Sequence, residues 1–224
     1  TTVFDTVLLT KIELFFLVGG LSALVVGLNV FIAFRSRPTY MPRNTLSDIP
    51  GLDQVDALVT AIRRFGLIGG PLLIGVLFGI GGSESWQSWL AYRNAQPFGQ
   101  TDATFGLDLS YFIFQLPFLM SVQELLSSII VLSAIAAGVV HFLVGNLRPG
   151  PRPVSGRLNL LIADSARRQA AVLVGFYFVV QAWSQWLDRF KLTLSDNSVI
   201  TGMNYVDANV HLPALNMMVG ISLV

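Results

Sequence analysis

The chain has 224 residues, 53% of them hydrophobic and only 12% charged, with a net charge of +1. Soluble domains carry about 25% charged residues, so this composition excludes a globular surface facing water and makes the lipid bilayer the natural solvent. The absence of cysteine excludes disulfides, thiolate nucleophiles and thiolate metal sites.

The sequence starts at Thr1 without Met or a signal-peptide pattern, and it stops at Val224 inside an apolar run that has just begun. Both ends predict a piece of a longer protein. After a lead-in at 1–11, residues 12–34 form the first predicted span, meeting the ~20 residues that a bilayer core requires. Gly19, Ala23 and Gly27 recur every four residues, a small-residue face that lets another helix approach closely. In the connection 35–64, Pro38 and Pro42 block helix continuation. Leu52, Val55, Leu58, Val59 and Ile62 then predict an amphipathic helix along the membrane surface. The second span, 65–82, holds seven of the 20 glycines, and its Pro71 predicts a kink.

Residues 83–120 form a long connection. Trp86, Trp89 and Tyr92 suggest an aromatic interface belt. The apolar run from Leu109 to Met120 is too short to span and carries Pro117, which predicts an interfacial or re-entrant segment. Spans three and four follow at 121–145 and 169–186, and 212–224 begins a fifth, truncated span. The fold class is thus all-α, a polytopic transmembrane helical bundle with five spans visible and one interfacial or re-entrant segment.

Ten of the 14 Lys and Arg residues lie in the connections 35–64 and 146–168. The positive-inside rule assigns these two to the cytoplasm. Segments 1–11, 83–120 and 187–211 then lie on the extracytoplasmic side of a bacterial plasma membrane, and an outside start predicts a further span upstream.

Several residues merit a chemical reading. Asp102 and Asp108 stand in a pseudo-repeat, Phe98-Gly99 to Asp102 and Phe105-Gly106 to Asp108. Two carboxylates in a glycine-bearing loop suit a hard cation, but turn capping is the favoured reading, and the metal assignment stays weak. The surrounding aromatics suit anchoring on the bundle better than cofactor binding. Glu124 and His141 are ionisable groups in or near span three, about 25 Å apart along one helix, so they cannot form one site. Glu124 is read at a helix N-terminus, where the dipole stabilises an anion. His141 is read as a hydrogen-bond partner of a neighbouring helix rather than a metal or tetrapyrrole ligand. His211 near Asp207 marks a second small outer site. Asn29, Gln181 and Asn216 are read as interhelical hydrogen-bond partners.

Metalloprotease, nucleophile-elbow and Walker A motifs are all missing, so neither an enzyme nor a cofactor is expected. The basic connections are too short for nucleic acid and suit anionic lipid headgroups. The expected partners are the bilayer and other membrane subunits.

The stretch FGQTDATFGLDLSYFIFQLPF (98–118) resembles the signature of uncharacterised protein family 0182, which reads FG-x-x-D-P-x-F-G-x-D followed by an aromatic run ending in LPF. Ala103 stands where that family has proline. SRPTYMP (36–42), WLDRFKL (186–192) and TGMNYVDANVHLPA (201–214) carry the resemblance across nearly the whole chain. It implies an actinobacterial or cyanobacterial type of source, about seven spans and a large extracytoplasmic domain beyond them, but no biochemical activity.

The leading expectation for function is a scaffold or accessory subunit of a membrane complex. A transporter or channel-like component comes second, because Gly- and Pro-interrupted spans suit transport sites but few intramembrane polar groups are visible. An intramembrane enzyme ranks third. An aqueous cavity reaching Asn29, His141 or Gln181 would favour transport.

Overall fold

The computed structural model describes residues 2–36, 65–149, 160–194, 196–197 and 200–223. The expected amphipathic helix after Asp48 lies outside the described residues. Helix dominates: α1 (Thr2–Arg35), α2 (Gly69–Glu84), α3 (Trp86–Arg93), α4 (Leu116–Leu143), α5 (Asp164–Lys191) and α6 (Leu212–Ser222). Two short antiparallel pairs accompany them, β1 (Leu147–Pro149) with β2 (Leu160–Ile162), and β3 (Asp196–Asn197) with β4 (Ile200–Thr201).

Among the described residues, three helical stretches are long and apolar enough to cross a membrane: Thr2–Arg35, Tyr111–Leu143 and Asp164–Leu194, of 34, 33 and 31 residues. Each rises about 45–50 Å, beyond the ~30 Å hydrocarbon core. Where the second and fifth spans were expected stand α2 and α6, of 16 and 11 residues, rising about 24 and 16 Å.

Two local expectations are corrected. The run from Leu109 to Met120 is not a separate interfacial segment. A one-turn π-helix at Tyr111–Gln115 leads directly into α4, so Pro117 lies inside a continuous helix. The Leu116 N–H bonds five residues back to Tyr111 O, and the next residue is the proline, which has no N–H to give. The wider turn therefore absorbs the missing donor. The same device recurs at Asp207–His211, where Leu212 N–H bonds Asp207 O just before Pro213. Pro71 likewise does not kink a helix interior. A turn at 67–68 ends the preceding helical residues, and Pro71 falls in the first turn of α2, where backbone N–H groups need no helical acceptor.

The chain forms two compact units, one of Glu13–Gly82 and Ile129–Val174, the other of Thr1–Ile12, Ser83–Ser128 and Gly175–Val224. In the first, the predicted small-residue face of α1 meets the glycines of α2. A Cβ placed on Gly19 would stand 2.7 Å from Gly75 O, and one on Gly75 would stand 2.7 Å from the Ala23 Cβ. Only hydrogen at these positions permits such backbone approach. Val26, Val30 and Ala33 of α1, Ala137 and Val140 of α4, Val144 just past the end of α4, and Leu173 of α5 form this unit's buried core.

In the second unit Phe112, Leu116, Leu187 and Phe190 are buried together, with Phe105, Leu107 and Trp183 packed against them. Large apolar side chains remain exposed along the long helices, such as Phe16, Leu24, Phe142, Val174 and Phe178, as helix faces turned toward lipid require.

Candidate functional site

The loop between α3 and the π turn is built by its two aspartates. Asp108 accepts hydrogen bonds from the backbone N–H groups of Phe98 (3.0 Å), Gly99 (2.9 Å) and Ser110 (2.9 Å). Asp102 accepts from Thr104 (2.8 Å) and Phe105 (2.7 Å) through one oxygen. The backbone closes the loop through Asp102 N–H to Leu107 O (2.8 Å) and Leu109 N–H to Gln100 O (2.9 Å). Gly99 and Gly106 carry positive φ of 73° and 66°, the left-handed conformation that glycine adopts without a Cβ penalty. The two halves of the pseudo-repeat thus differ: Asp102 caps a local turn, and Asp108 ties the two ends of the loop together. Donation from the Phe98 N–H, then from Ser110 and Gly99, holds the Asp108 carboxyl down at about 2. Asp102 serves the turn that follows it, whereas Asp108 reaches back across the loop to Phe98 and Gly99 as well as to Ser110.

The loop's aromatics reach the helices of its own unit. Phe105 lies 4.9 Å, ring centre to ring centre, from Phe190 of α5, and Phe98 lies 5.6 Å from Phe114. Trp89 and Tyr92 of α3 pack on Phe118 of α4 at 5.2 and 4.6 Å.

His141 belongs to a buried polar chain in the other unit. Its Nδ1 receives a hydrogen bond from Asn146 Nδ2 (2.8 Å), and the same amide donates to Ser36 O (2.7 Å). With Nδ1 accepting, Nε2 is the ring nitrogen that donates, to Gln169 Oε1 (2.9 Å). Gln169 Nε2 in turn donates to Asn29 O (2.9 Å) and Oδ1 (3.2 Å). Asn29 and His141, expected as separate partners, are thus linked through Gln169, to which the sequence reading assigned no role. An apolar cleft of about 380 Å³ also reaches His141, with Ala137, Gly138, Ala170 and Leu173 in its wall.

Glu124 does not sit at a helix N-terminus. The α-helix starts at Leu116 after a helical π turn, which places Glu124 more than two turns inside, beyond the reach of the terminal N–H groups. It is exposed and lines a polar cleft of about 450 Å³ between α4 and α5. From α4 come Gln123, Glu124, Ser127 and Ser128; from α5 come Gln181, Ser184, Asp188 and Lys191. Asp188 and Lys191 form an ion pair at 2.6 Å. Gln123 Nε2 donates to Ser127 Oγ (3.0 Å), and Gln181 Nε2 donates to Tyr177 Oη (2.7 Å). Of the expected polar residues, Glu124 and Gln181 therefore share one cleft. Sequence reasoning missed the others, although 181, 184, 188 and 191 fall on one helix face by spacing alone.

His211 and Asp207 meet directly, Nδ1 to Oδ1 at 2.8 Å. Asp207 and Asn204 also cap one another, Asn204 N–H to Asp207 Oδ2 (3.1 Å) and Asp207 N–H to Asn204 Oδ1 (2.7 Å). Asn216 Oδ1 accepts from Arg189 Nη1 (2.9 Å). Among the described residues, no group of three or more His, Asp or Glu side chains gathers to hold a metal ion.

The model of uncharacterised protein family UPF0182 matches residues 1–224. A UPF0182 protein of Nocardioides sp. is 38% identical over 99% of this chain and 21% of its own length. Those of Streptomyces coelicolor and Thermobifida fusca are 34% and 36% identical over the whole chain, covering 22% and 21% of their lengths. The chain thus spans about a fifth of the curated relatives it matches. No solved structure matches it.

Proposed function

The chain belongs to the uncharacterised protein family UPF0182, and we propose that it is a membrane-embedded scaffold region that presents a preformed extracytoplasmic loop to partner subunits. The observation that carries this reading is the loop at 98–110. Five backbone N–H groups bonded to two aspartates fix its shape without a ligand, while Phe98 at its start remains half exposed. A surface fixed before encounter loses little conformational freedom on binding. The charge asymmetry of the connections supports the extracytoplasmic assignment.

Reconstitution of the purified full-length protein into liposomes provides the test. A scaffold carries no solute flux alone, and Asp102→Ala/Asp108→Ala alters the complexes recovered by quantitative cross-linking from intact membranes. Saturable flux from the isolated protein, with complexes unchanged in the variant, overturns the reading and favours transport. One observation supports that second reading: the polar cleft that reaches Gln181. Polar groups facing lipid are costly, so such a face turns toward water or protein.

A further inference from the structure

We propose that the cleft between α4 and α5 is a binding site for one monovalent cation, taken by oxygen ligands: an alkali-metal ion or a primary ammonium group. The inference goes beyond the scaffold reading and does not require transport. It rests first on charge. Asp188 and Lys191 neutralise one another at 2.6 Å, and Glu124 has no partner among the described residues, so the three charged groups of the cleft leave one negative charge. A single uncompensated carboxylate on a helix long and apolar enough to cross a membrane is costly unless a positive charge or water meets it.

The second argument is the direction of the neutral groups. Gln123, only 7% exposed, turns its amide nitrogen to Ser127, and Gln181 turns its own to Tyr177. Both carbonyl oxygens are left without a donor among the described residues. Ser128 and Ser184 also line the cleft, and a serine hydroxyl accepts as readily as it donates. Each amide thus spends one N–H on a neighbouring hydroxyl, and the cleft offers carboxylate, carbonyl and hydroxyl oxygens as acceptors. Carboxylate, carbonyl and hydroxyl oxygens are the ligands of hard cations and of ammonium groups. One net negative charge matches one positive charge and leaves a divalent ion half compensated.

The test uses the purified full-length protein in nanodiscs of uncharged lipid. Sodium, potassium and methylammonium chloride are each titrated against choline chloride at constant ionic strength. Tryptophan fluorescence, to which Trp183 and Trp186 on the same helix contribute, and the unfolding midpoint are the readouts. A saturable response to at least one of the three cations is expected, and the responding ion identifies the source. Glu124→Gln, which keeps size and shape, abolishes that response, whereas Glu84→Gln at an exposed carboxylate bonded to Lys11 preserves it. Ser128→Ala/Ser184→Ala weakens apparent affinity several-fold without loss of fold. The proposal is overturned if none of the three cations gives a saturable response, or if a folded Glu124→Gln protein responds like the parent.

Discussion

Replacing Gly19 by alanine separates close helix packing from helix propensity, because Gly20 beside it supplies the control. A Cβ on Gly19 would lie 2.7 Å from Gly75 O and 3.3 Å from Gly79 Cα, whereas one on Gly20 meets nothing within 4 Å. The first contact is with backbone, which cannot rotate aside, and lies about 0.7 Å inside ordinary contact distance. Either α1 and α2 separate locally or the contact is strained, and overpacking of this kind costs about 1–3 kcal/mol. Both substitutions gain the same propensity of about 1 kcal/mol, so it cancels between them. Gly19→Ala is therefore expected to be about 1–3 kcal/mol less stable than Gly20→Ala, which itself matches or exceeds the parent. SDS-driven unfolding of the purified protein, followed by tryptophan fluorescence, measures the difference. Equal midpoints for the two variants would refute the packing argument.

Acid should open the 98–110 loop. The folded Asp108 carboxyl is lowered to about 2 from an ordinary 3.8, so its stabilisation is fully present above about pH 4 and lost as pH falls through about 2; carbon NMR of the carboxyl reads the midpoint, and Asp108→Ala opens the loop to protease at neutral pH. Gln169→Met leaves His141 Nε2–H and the Asn29 oxygens without their buried partner, at a cost of about 1–3 kcal/mol seen as a lower unfolding midpoint. Arg189→Met removes the guanidinium that lies 5.3 Å from the Trp186 ring and bonds Asn216; a loss of about 0.5–1 kcal/mol with altered tryptophan emission is expected.

What the sequence disclosed and what it hid follow from the range of the interactions involved. The long apolar helices were legible because hydropathy over some twenty residues is a local sum. The close face of Gly19 and Ala23 was legible because four-residue spacing alone puts small residues together, although nothing in that spacing named Gly75 as the partner. The error at Pro117 arose from treating proline as a stop. A single π turn on its N-terminal side lets the helix continue, and that turn leaves no trace in hydropathy.

The polar cleft was hidden for a related reason. Ending the fourth span at Trp186 assigned Asp188 and Lys191 to a connection, yet α5 runs on to Lys191. Starting the third span at Ser121 put Glu124 at a terminus, yet α4 begins earlier. The first boundary read Asp188 and Lys191 as loop and the second read Glu124 as a terminal group, whereas all three line one cleft between α4 and α5. Two boundary shifts thus turn an apparent scarcity of intramembrane polar groups into a single polar cleft. Charges just beyond a predicted span end should be tested against the helical face they would extend before they are read as loop, because an i, i+3, i+7 continuation such as Gln181, Ser184 and Asp188 keeps them on one side.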